Sequence, residues 1–373
     1  MNARYAAIVL AGGFSTRMQR FKPLLPLGKE TVTDHVMATF LDCGVDVLLV
    51  VGHRRDEIEA GIKKRDITIV YNPDYEQGMF SSIQAGIRRL QTAHIGFFIL
   101  PVDTPLVRPA TIRRLMAAAA QNPGKIIYPV FGGKRGHPPL VPSSLIPSIL
   151  GWGKGGGLKA VLGSQDKLAL EQPVADSNIL FDMDTPDNYS ELLKRFHRYE
   201  VPTDEECRVI LNDICKVAPD RIRHSFKVAE VAVAIGQALN DSGFPVDAES
   251  VRIAAILHDI AKGQRKHDAA GGKILRELGF AKVGDIVAVH SDLAGGNTNL
   301  PLEGKIVYLA DKLVDGEKLV TIEERYSSTI RHLGRTFEIQ SAIAERLKVA
   351  LSVKRELDKL LGHPLEEIIS RNR

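Results

Sequence analysis

Six side chains in the second half of the chain form a donor set that divalent transition metals accept: His224, the adjacent pair His258 and Asp259, His267, His290 and Asp311. One histidine in an apolar helix is ordinarily a hydrogen-bonded core residue. Histidines and aspartates on successive amphipathic segments fit instead a metal site built from facing helices of a bundle. A second constellation lies near the N-terminus, where an apolar run leads straight into Leu10-Ala11-Gly12-Gly13-Phe14-Ser15-Thr16-Arg17-Met18 and then Lys22. Small residues after a strand let the backbone approach a phosphate and aim its N–H groups at it. Arg17 and Lys22 add fixed positive charge to the same loop, which suits a triphosphate and its departing pyrophosphate.

These residues need two different scaffolds. In the first half, Val- and Ile-rich runs at 6–10, 45–51, 67–71, 96–100 and 126–129 read as buried strands, with helix-period stretches between them. Such alternation predicts an α/β, Rossmann-like domain: a mostly parallel sheet with helices on both faces, and ligands beyond the carboxyl ends of its strands. After about Tyr199 helical periodicity takes over, and Thr203 to Glu206 carries a capping-box sequence. The expected division is residues 1–198 for the α/β domain and 199–373 for an all-α bundle with a C-terminal helical extension. That extension, with helices expected at 323–333, 337–361 and 364–370, completes the bundle or forms a homodimer interface.

Composition bounds the reading. The chain has 373 residues, 44% hydrophobic and 25% charged, which excludes a disordered protein. No apolar run reaches the roughly 18–20 residues of a membrane helix, and no signal-peptide pattern opens the sequence. Cys43, Cys207 and Cys215 cannot all pair and show no CxxC spacing, so a cytoplasmic protein with reduced thiols is expected. The net charge of +4 divides unevenly: 24 basic against 18 acidic residues in 1–198, and 25 against 27 in 199–373. A basic half suits an anionic ligand, and an acidic, His-rich half suits metal ions. No basic run is interleaved with aromatics, so neither nucleic acid nor membrane is an expected partner.

The run LAGGFSTRMQRFKPLLPLG resembles the signature LAxGxSxRMGxxK of the MobA-like nucleotidyltransferases, and the likeness extends over about residues 5–195. The resemblance implies transfer of a nucleotide from an NTP to a phosphorylated small-molecule acceptor, with Mg²⁺ and release of pyrophosphate. It places Leu10, Ala11, Gly12, Gly13, Ser15, Arg17 and Lys22 around the nucleotide. NPDYEQGMFSSIQAGI looks like the family's base- and acceptor-side segment, implying contacts from Gly78, Ser81 and Ser82. LPVDTPLV looks like the strand end that presents a metal-binding aspartate, here Asp103, catalytic together with Arg17 and Lys22. RGHPPLV and DMDTPDN are similar to blocks of the molybdenum cofactor cytidylyltransferase branch, where the latter implies a second metal ligand, Asp184. His137 in the former either touches the acceptor or supports its loop.

Three positions depart from the pattern. Gln19 replaces a glycine, LAGG reads as the guanylyltransferase version of the loop, and Gly153-Lys154-Gly155-Gly156-Gly157 stands in place of GDxG. The expected nucleotide is CTP with GTP as the alternative. The expected acceptor is molybdopterin, with a sugar phosphate or phosphocholine as the alternative.

In the second half, VAEVA, AAILHDIAKG and IVYLADKL surround His224, His258, Asp259 and Asp311. They resemble the H…HD…D pattern of the HD-domain phosphohydrolase superfamily over roughly residues 203–330. His267 and His290 fall where binuclear members carry two further histidines. The resemblance implies one or two divalent metals such as Mn, Fe, Ni or Zn, a catalytic Asp259 bridging them, and hydrolysis of a phosphate ester or anhydride. The combined expectation is a bifunctional enzyme. Two alternatives are an NTP-sensing regulator of the hydrolase and a chaperone handing cofactor to a molybdoenzyme.

Overall fold

Continuous β-branched runs become central strands because both faces of each are covered by helices. In the computed structural model, which describes residues 4–63, 66–290, 300–333 and 336–371, Cα packing divides the chain into two units between Arg198 and Tyr199. The first unit contains β1 (Arg4–Leu10), the hairpin β2 (Pro26–Leu27) and β3 (Glu30–Thr31), β4 (Asp46–Val51), β5 (Thr68–Tyr71) and β6 (His94–Pro101). It continues with β7 (Ile126–Phe131), β8 (Lys134–Arg135), β9 (Leu140–Pro142) and β10 (Ala169–Pro173). Its helices are α1 (Val32–Leu41), α2 (Arg55–Gly61), α3 (Met79–Ile87), α4 (Pro109–Gln121), α5 (Ile146–Leu150), α6 (Gly157–Gly163) and α7 (Pro186–His197).

The main sheet runs β10-β7-β9-β6-β1-β4-β5, with β8 on β7. Strand β1 pairs in parallel with both β4 and β6, while β9 is antiparallel to β6. The chain moves outward from β1 to β5 and then returns to the other side of β1, so the topological switch point lies between β1 and β6. A crevice outside the carboxyl ends of those strands is where such sheets bind ligands. Fully buried Ile8, Leu49, Phe97 and Phe98 fill the layers on either side. The α/β expectation holds, with β9 and the short β8 added as antiparallel strands.

The second unit is mostly helical. A Thr203–Glu206 capping box opens α8 (Asp204–Val209), which runs into a wider π turn over Ile210–Ile214. Then follow α9 (Pro219–Asp241), α10 (Ala248–Leu257), α11 (His267–Glu277), α12 (Ala281–Val287) and α13 (Leu302–Lys312). The short hairpin β11 (Val314–Asp315) and β12 (Lys318–Leu319) precedes α14 (Ile322–Leu333), α15 (Phe337–Leu361) and α16 (Leu365–Arg371). Helix α10 is buried almost all round, which its apolar sequence requires. Among the described residues, no helix is long and apolar enough to cross a membrane.

Candidate active sites

The first site sits at the switch point. Leu10 ends β1 in register with Pro101 of β6, and the Val102 N–H donates to the Leu10 carbonyl, so the loops leaving both strands start side by side. Gly12 packs tightly there: a Cβ would come within 3.1 Å of the backbone nitrogen of Gly52, which follows β4, and the backbone would have to give by a few tenths of an ångström. Gly13 faces open space. Ser15 adopts a left-handed φ of 56°, and its Oγ accepts from the Lys22 N–H at 3.2 Å, closing the loop on itself. Gln19 takes φ 57°, so the side chain at the departed position occupies the conformation a glycine would adopt without strain.

The loop carries Lys22 into a carboxylate cluster. Lys22 is buried, and its Nζ lies 2.6 Å from Asp184 Oδ1 and 3.6 Å from Asp103 Oδ2. Arg17, largely exposed, pairs with the other Asp184 oxygen at 2.9 Å. Two local devices present the aspartates. The Met183 N–H donates to the Asp103 carbonyl, and Thr185 caps α7, leaving Asp184 just ahead of the helix start. Burial pushes the Asp103 carboxyl above its ordinary range; Lys22 opposes this, and Asp182 and Asp184 add to it. Asp182 is a third carboxylate of the cluster that motif reasoning passed over. Its signal was present in the repeated acid of Asp182-Met183-Asp184.

The remaining first-half residues flank this core. Buried Asn72 donates through Nδ2 to Ser81 Oγ and Ser82 Oγ, both at 2.9 Å, and Gly78 holds φ 98° at the start of α3. These residues are joined to one another, and no bond links them to Lys22. His137 lines a cavity of about 730 Å³ with Phe80, Ile83, Tyr128 and Gly157. Its N–H donates to the Ile179 carbonyl, and a Cβ on neighbouring Gly136 would collide with that same oxygen. An aromatic shelf of Phe14, His53 and Tyr75, with ring centroids 5.0–6.3 Å apart, borders the loop and was not expected from the sequence.

The second site brings all six expected donors together. His258 directly follows α10, which ends at Leu257, earlier than the helical period implied; its Nδ1 bonds the Ala255 carbonyl at 2.8 Å. His224 Nδ1 bonds the Gly316 carbonyl and His290 Nδ1 the Val287 carbonyl. Each of these bonds makes Nδ1 the donor and leaves the Nε2 lone pair facing inward. Asp259 lies 3.6 Å from His258 Nε2, 3.5 Å from His267 Nε2 and 3.7 Å from His290 Nε2. Asp311 lies 3.1 Å from His224 Nε2 and 3.6 Å from His258 Nε2. Helices α11 and α12 supply His267 and the approach to His290, and they cross at Gly272 and Gly284, where any Cβ would strike the facing backbone carbonyl.

The donor atoms form two triads: those of His224, His258 and Asp259, and those of Asp259, His267 and His290, lie within 4.8 Å of one another. The Nε2 atoms of His258, His267 and His290 are buried without a hydrogen-bond partner. Buried polar atoms are rarely left so, and a metal is the partner that fits three converging imidazole lone pairs and a shared carboxylate. Electrostatics agree. Burial holds His267 and His290 below the usual imidazole range, keeping their lone pairs free. Burial also works against ionising Asp259 and Asp311, but the facing histidines with Lys262 and Lys312 outweigh it and hold both well below the carboxylate range. His258 is the exception: burial lowers it, yet Asp311 and Asp259 pull it upward. A cation held by these donors would satisfy those two carboxylates in place of the proton.

A parallel sheet whose switch point carries a small-residue loop, a lysine and paired carboxylates defines the class: an enzyme built to handle nucleotide phosphates, joined here to a helical metal-site unit. Residues 7–169 match the model of the MobA-like NTP transferase domain, and residues 221–314 match that of the HD domain. The chain is 30% identical over 190 residues to the molybdenum cofactor cytidylyltransferase of Escherichia coli, spanning 51% of this chain and 95% of that protein. It belongs to the MobA-like nucleotidyltransferase family and carries an HD domain in addition. Nicotine blue oxidoreductase of Paenarthrobacter nicotinovorans is 28% identical over 197 residues, or 50% of this chain and 95% of that protein. A solved nucleotidyl transferase from Methanothermobacter thermautotroptrophicus aligns with a TM-score of 0.47 at 22% identity, covering 52% of this chain and 98% of that one.

Proposed function

We propose that the first unit transfers a nucleotide from CTP to the terminal phosphate of a molybdopterin-type acceptor, releasing pyrophosphate. The observation that carries this reading is Lys22 Nζ set between Asp184 and Asp103 at the ends of adjoining strands. An acceptor phosphate oxygen forms a bond to the α-phosphorus while the bond to the pyrophosphate oxygen breaks. The N–H groups after β1 face the phosphates, Arg17 and Lys22 offset charge growing on the leaving oxygens, and the shelf beside Phe14 accommodates a base. Asp103 and Asp184 are hard oxygen donors suited to Mg²⁺, which supplies charge neutralisation between the phosphates when bound. The apolar cavity at His137 offers room for the acceptor. CTP and molybdopterin follow from the likeness to the Escherichia coli enzyme, and GTP is the alternative that the Gly12-Gly13 loop favours.

The second unit hydrolyses a phosphate ester or anhydride. His224, His258, His267, His290, Asp259 and Asp311 would hold one or two transition metals, which supply Lewis-acid polarisation of phosphoryl oxygens. The test measures pyrophosphate release by the full chain with Mg²⁺ and molybdopterin, offering CTP, GTP, ATP and UTP separately. Release with CTP alone supports the full reading, and release with GTP alone changes the base. Silence with all four, followed by turnover with a sugar phosphate or phosphocholine, moves the acceptor.

A further inference from the structure

The HD-type unit holds a cavity of about 540 Å³, within the range of small-molecule sites. His267 and Asp311 open onto it, so it is the approach to the six-donor cluster. Apart from Asp268, the rest of its charged wall is cationic: Lys262, Lys266, Lys312, Arg325 and Arg346. Three of these are engaged. Lys262 pairs with Asp259 at 3.1 Å, Lys312 with Asp311 at 2.7 Å, and Arg325 with Asp315. Lys266 and Arg346 have no carboxylate in ion-pair range among the described residues. Lys266 also holds a left-handed φ of 53° immediately before His267, a backbone conformation that side chains adopt under constraint.

Arg325 lies on α14 and Arg346 on α15, both beyond the residues 221–314 that match the HD domain. The tail therefore contributes to the cavity wall as well as to the bundle. A monophosphate carries about two negative charges, which a metal at the donor cluster and its adjoining Lys262 and Lys312 already meet. Lys266 and Arg346 are surplus to that need, Arg325 beside them gives only Nη1 to Asp315, and a guanidinium matches phosphate oxygens two at a time.

We propose that Lys266, Arg325 and Arg346 bind the distal phosphoryl group of a diphosphate-bearing small molecule, so that the C-terminal helices set a preference for phosphoanhydrides over monophosphates. This rests on the hydrolase reading above and narrows its substrate class. Hydrolysis adds water across P–O–P: the water oxygen joins one phosphorus, the bridging oxygen leaves with the other, and the released proton passes to solvent. Nucleotidyl transfer to a phosphorylated acceptor generates two such molecules, inorganic pyrophosphate and the diphosphate-linked product. Either would place the second reaction directly after the first.

The test uses the full chain loaded with Mn²⁺ and two readouts. Equilibrium binding of methylenediphosphonate, in which carbon replaces the bridging oxygen, is measured by calorimetry. Turnover is compared for pyrophosphate, CDP-choline and p-nitrophenyl phosphate. Arg346→Ala should weaken diphosphonate binding about tenfold or more, as loss of a charge-assisted bond does, and the paired Arg325→Ala/Arg346→Ala variant further. Arg346→Lys should restore part of it, and Lys273→Ala, an exposed cation elsewhere on α11, should change nothing. KM for the diphosphate that turns over should rise about tenfold more than KM for the monoester. Binding within twofold of the parent in the double variant overturns the proposal, as does faster turnover of p-nitrophenyl phosphate than of either diphosphate. Metal content, read by mass spectrometry, separates the two layers. A metal-free parent defeats the hydrolase reading, whereas a metal-replete parent with unaltered diphosphonate binding in the variants defeats only the assignment of the cations.

Discussion

The two sites meet anionic substrates in opposite ways. In the first unit the carboxylates arrive already neutralised: Lys22 bridges Asp103 and Asp184, and Arg17 takes the outer oxygen of Asp184 at the solvent edge. In the second unit the carboxylates also have lysine partners, Lys262 and Lys312, but they are only 5% and 6% exposed, and three imidazole nitrogens around them face inward with no hydrogen-bond partner. A site that balances its own charge tolerates the absence of metal between turnovers, so Mg²⁺ can arrive with the nucleotide. A buried site with orphaned lone pairs loses stability when empty, and is expected to retain its metal through purification.

Removing the shared carboxylate of the second site tests that contrast most severely. Asp259 belongs to both triads, so Asp259→Ala should release essentially all bound transition metal and lower phosphohydrolysis by about a thousandfold or more. Pyrophosphate release by the first unit should persist in the same preparation. Retention of metal by Asp259→Ala together with His258→Ala, measured by mass spectrometry, would show the site to be misassigned.

A smaller loss is expected from the first site. Lys22→Met should reduce kcat/KM for nucleotidyl transfer by about a hundredfold to a thousandfold, the range for removing one preorganised charge donor. It should also shift the acid limb of the pH–rate profile upward, because Lys22 opposes the burial that already raises Asp103. Asp103→Asn separates activity from folding. A carboxyl whose pKa is raised in the fold destabilises the folded state once it ionises, and that cost fades as pH falls through the folded value. The variant should therefore lose transfer while its thermal midpoint at neutral pH stays level or rises. A clear fall in that midpoint would mean that Asp103 is held mainly by favourable pairing.

Local sequence carried β1, β4, β5, β6 and β7, because uninterrupted Val and Ile between helical stretches fits buried parallel strands, and it carried the Thr203–Glu206 helix start; the short β2, β3 and β8 and the polar β10 gave no such signal. Strand β9 was not legible: Leu140–Pro142 is three residues long, contains proline and follows Pro138 and Pro139. Nor was the end of α10, since Leu257 to Ala261 continues an apolar helical pattern that the turn at His258 interrupts. For the sites, motifs named the residues but not their partners. Lys22 and Asp184 are 162 positions apart, and only the return of the chain to the switch point makes them neighbours. Lys266, Arg325 and Arg346 carry no local signal, because a charge on an exposed helix face reads the same whether or not a cavity lies beneath it.

The mildest test concerns the helix that leads into the metal site. Asp247 caps α10, accepting from the Ser250 N–H and hydroxyl, and pairs with Lys282 of α12. Burial is the largest single influence and raises its carboxyl, but the bonds from Lys282 and Ser250 together prevail and hold it down to about 2. Its contribution is thus complete above the unfolded carboxylate value and is lost as pH falls through the folded one. Asp247→Ala should cost about 1 kcal/mol at neutral pH, the scale of a helix cap, because the half-exposed pair with Lys282 is screened by solvent. The deficit should shrink in melts as pH falls toward 2 and vanish below it, and metal content at neutral pH should be unchanged, since none of the six donors touches Asp247. If metal is lost along with stability, the rigidity of α10 is part of what holds His258 in place, and the second site depends on its scaffold more than the first does.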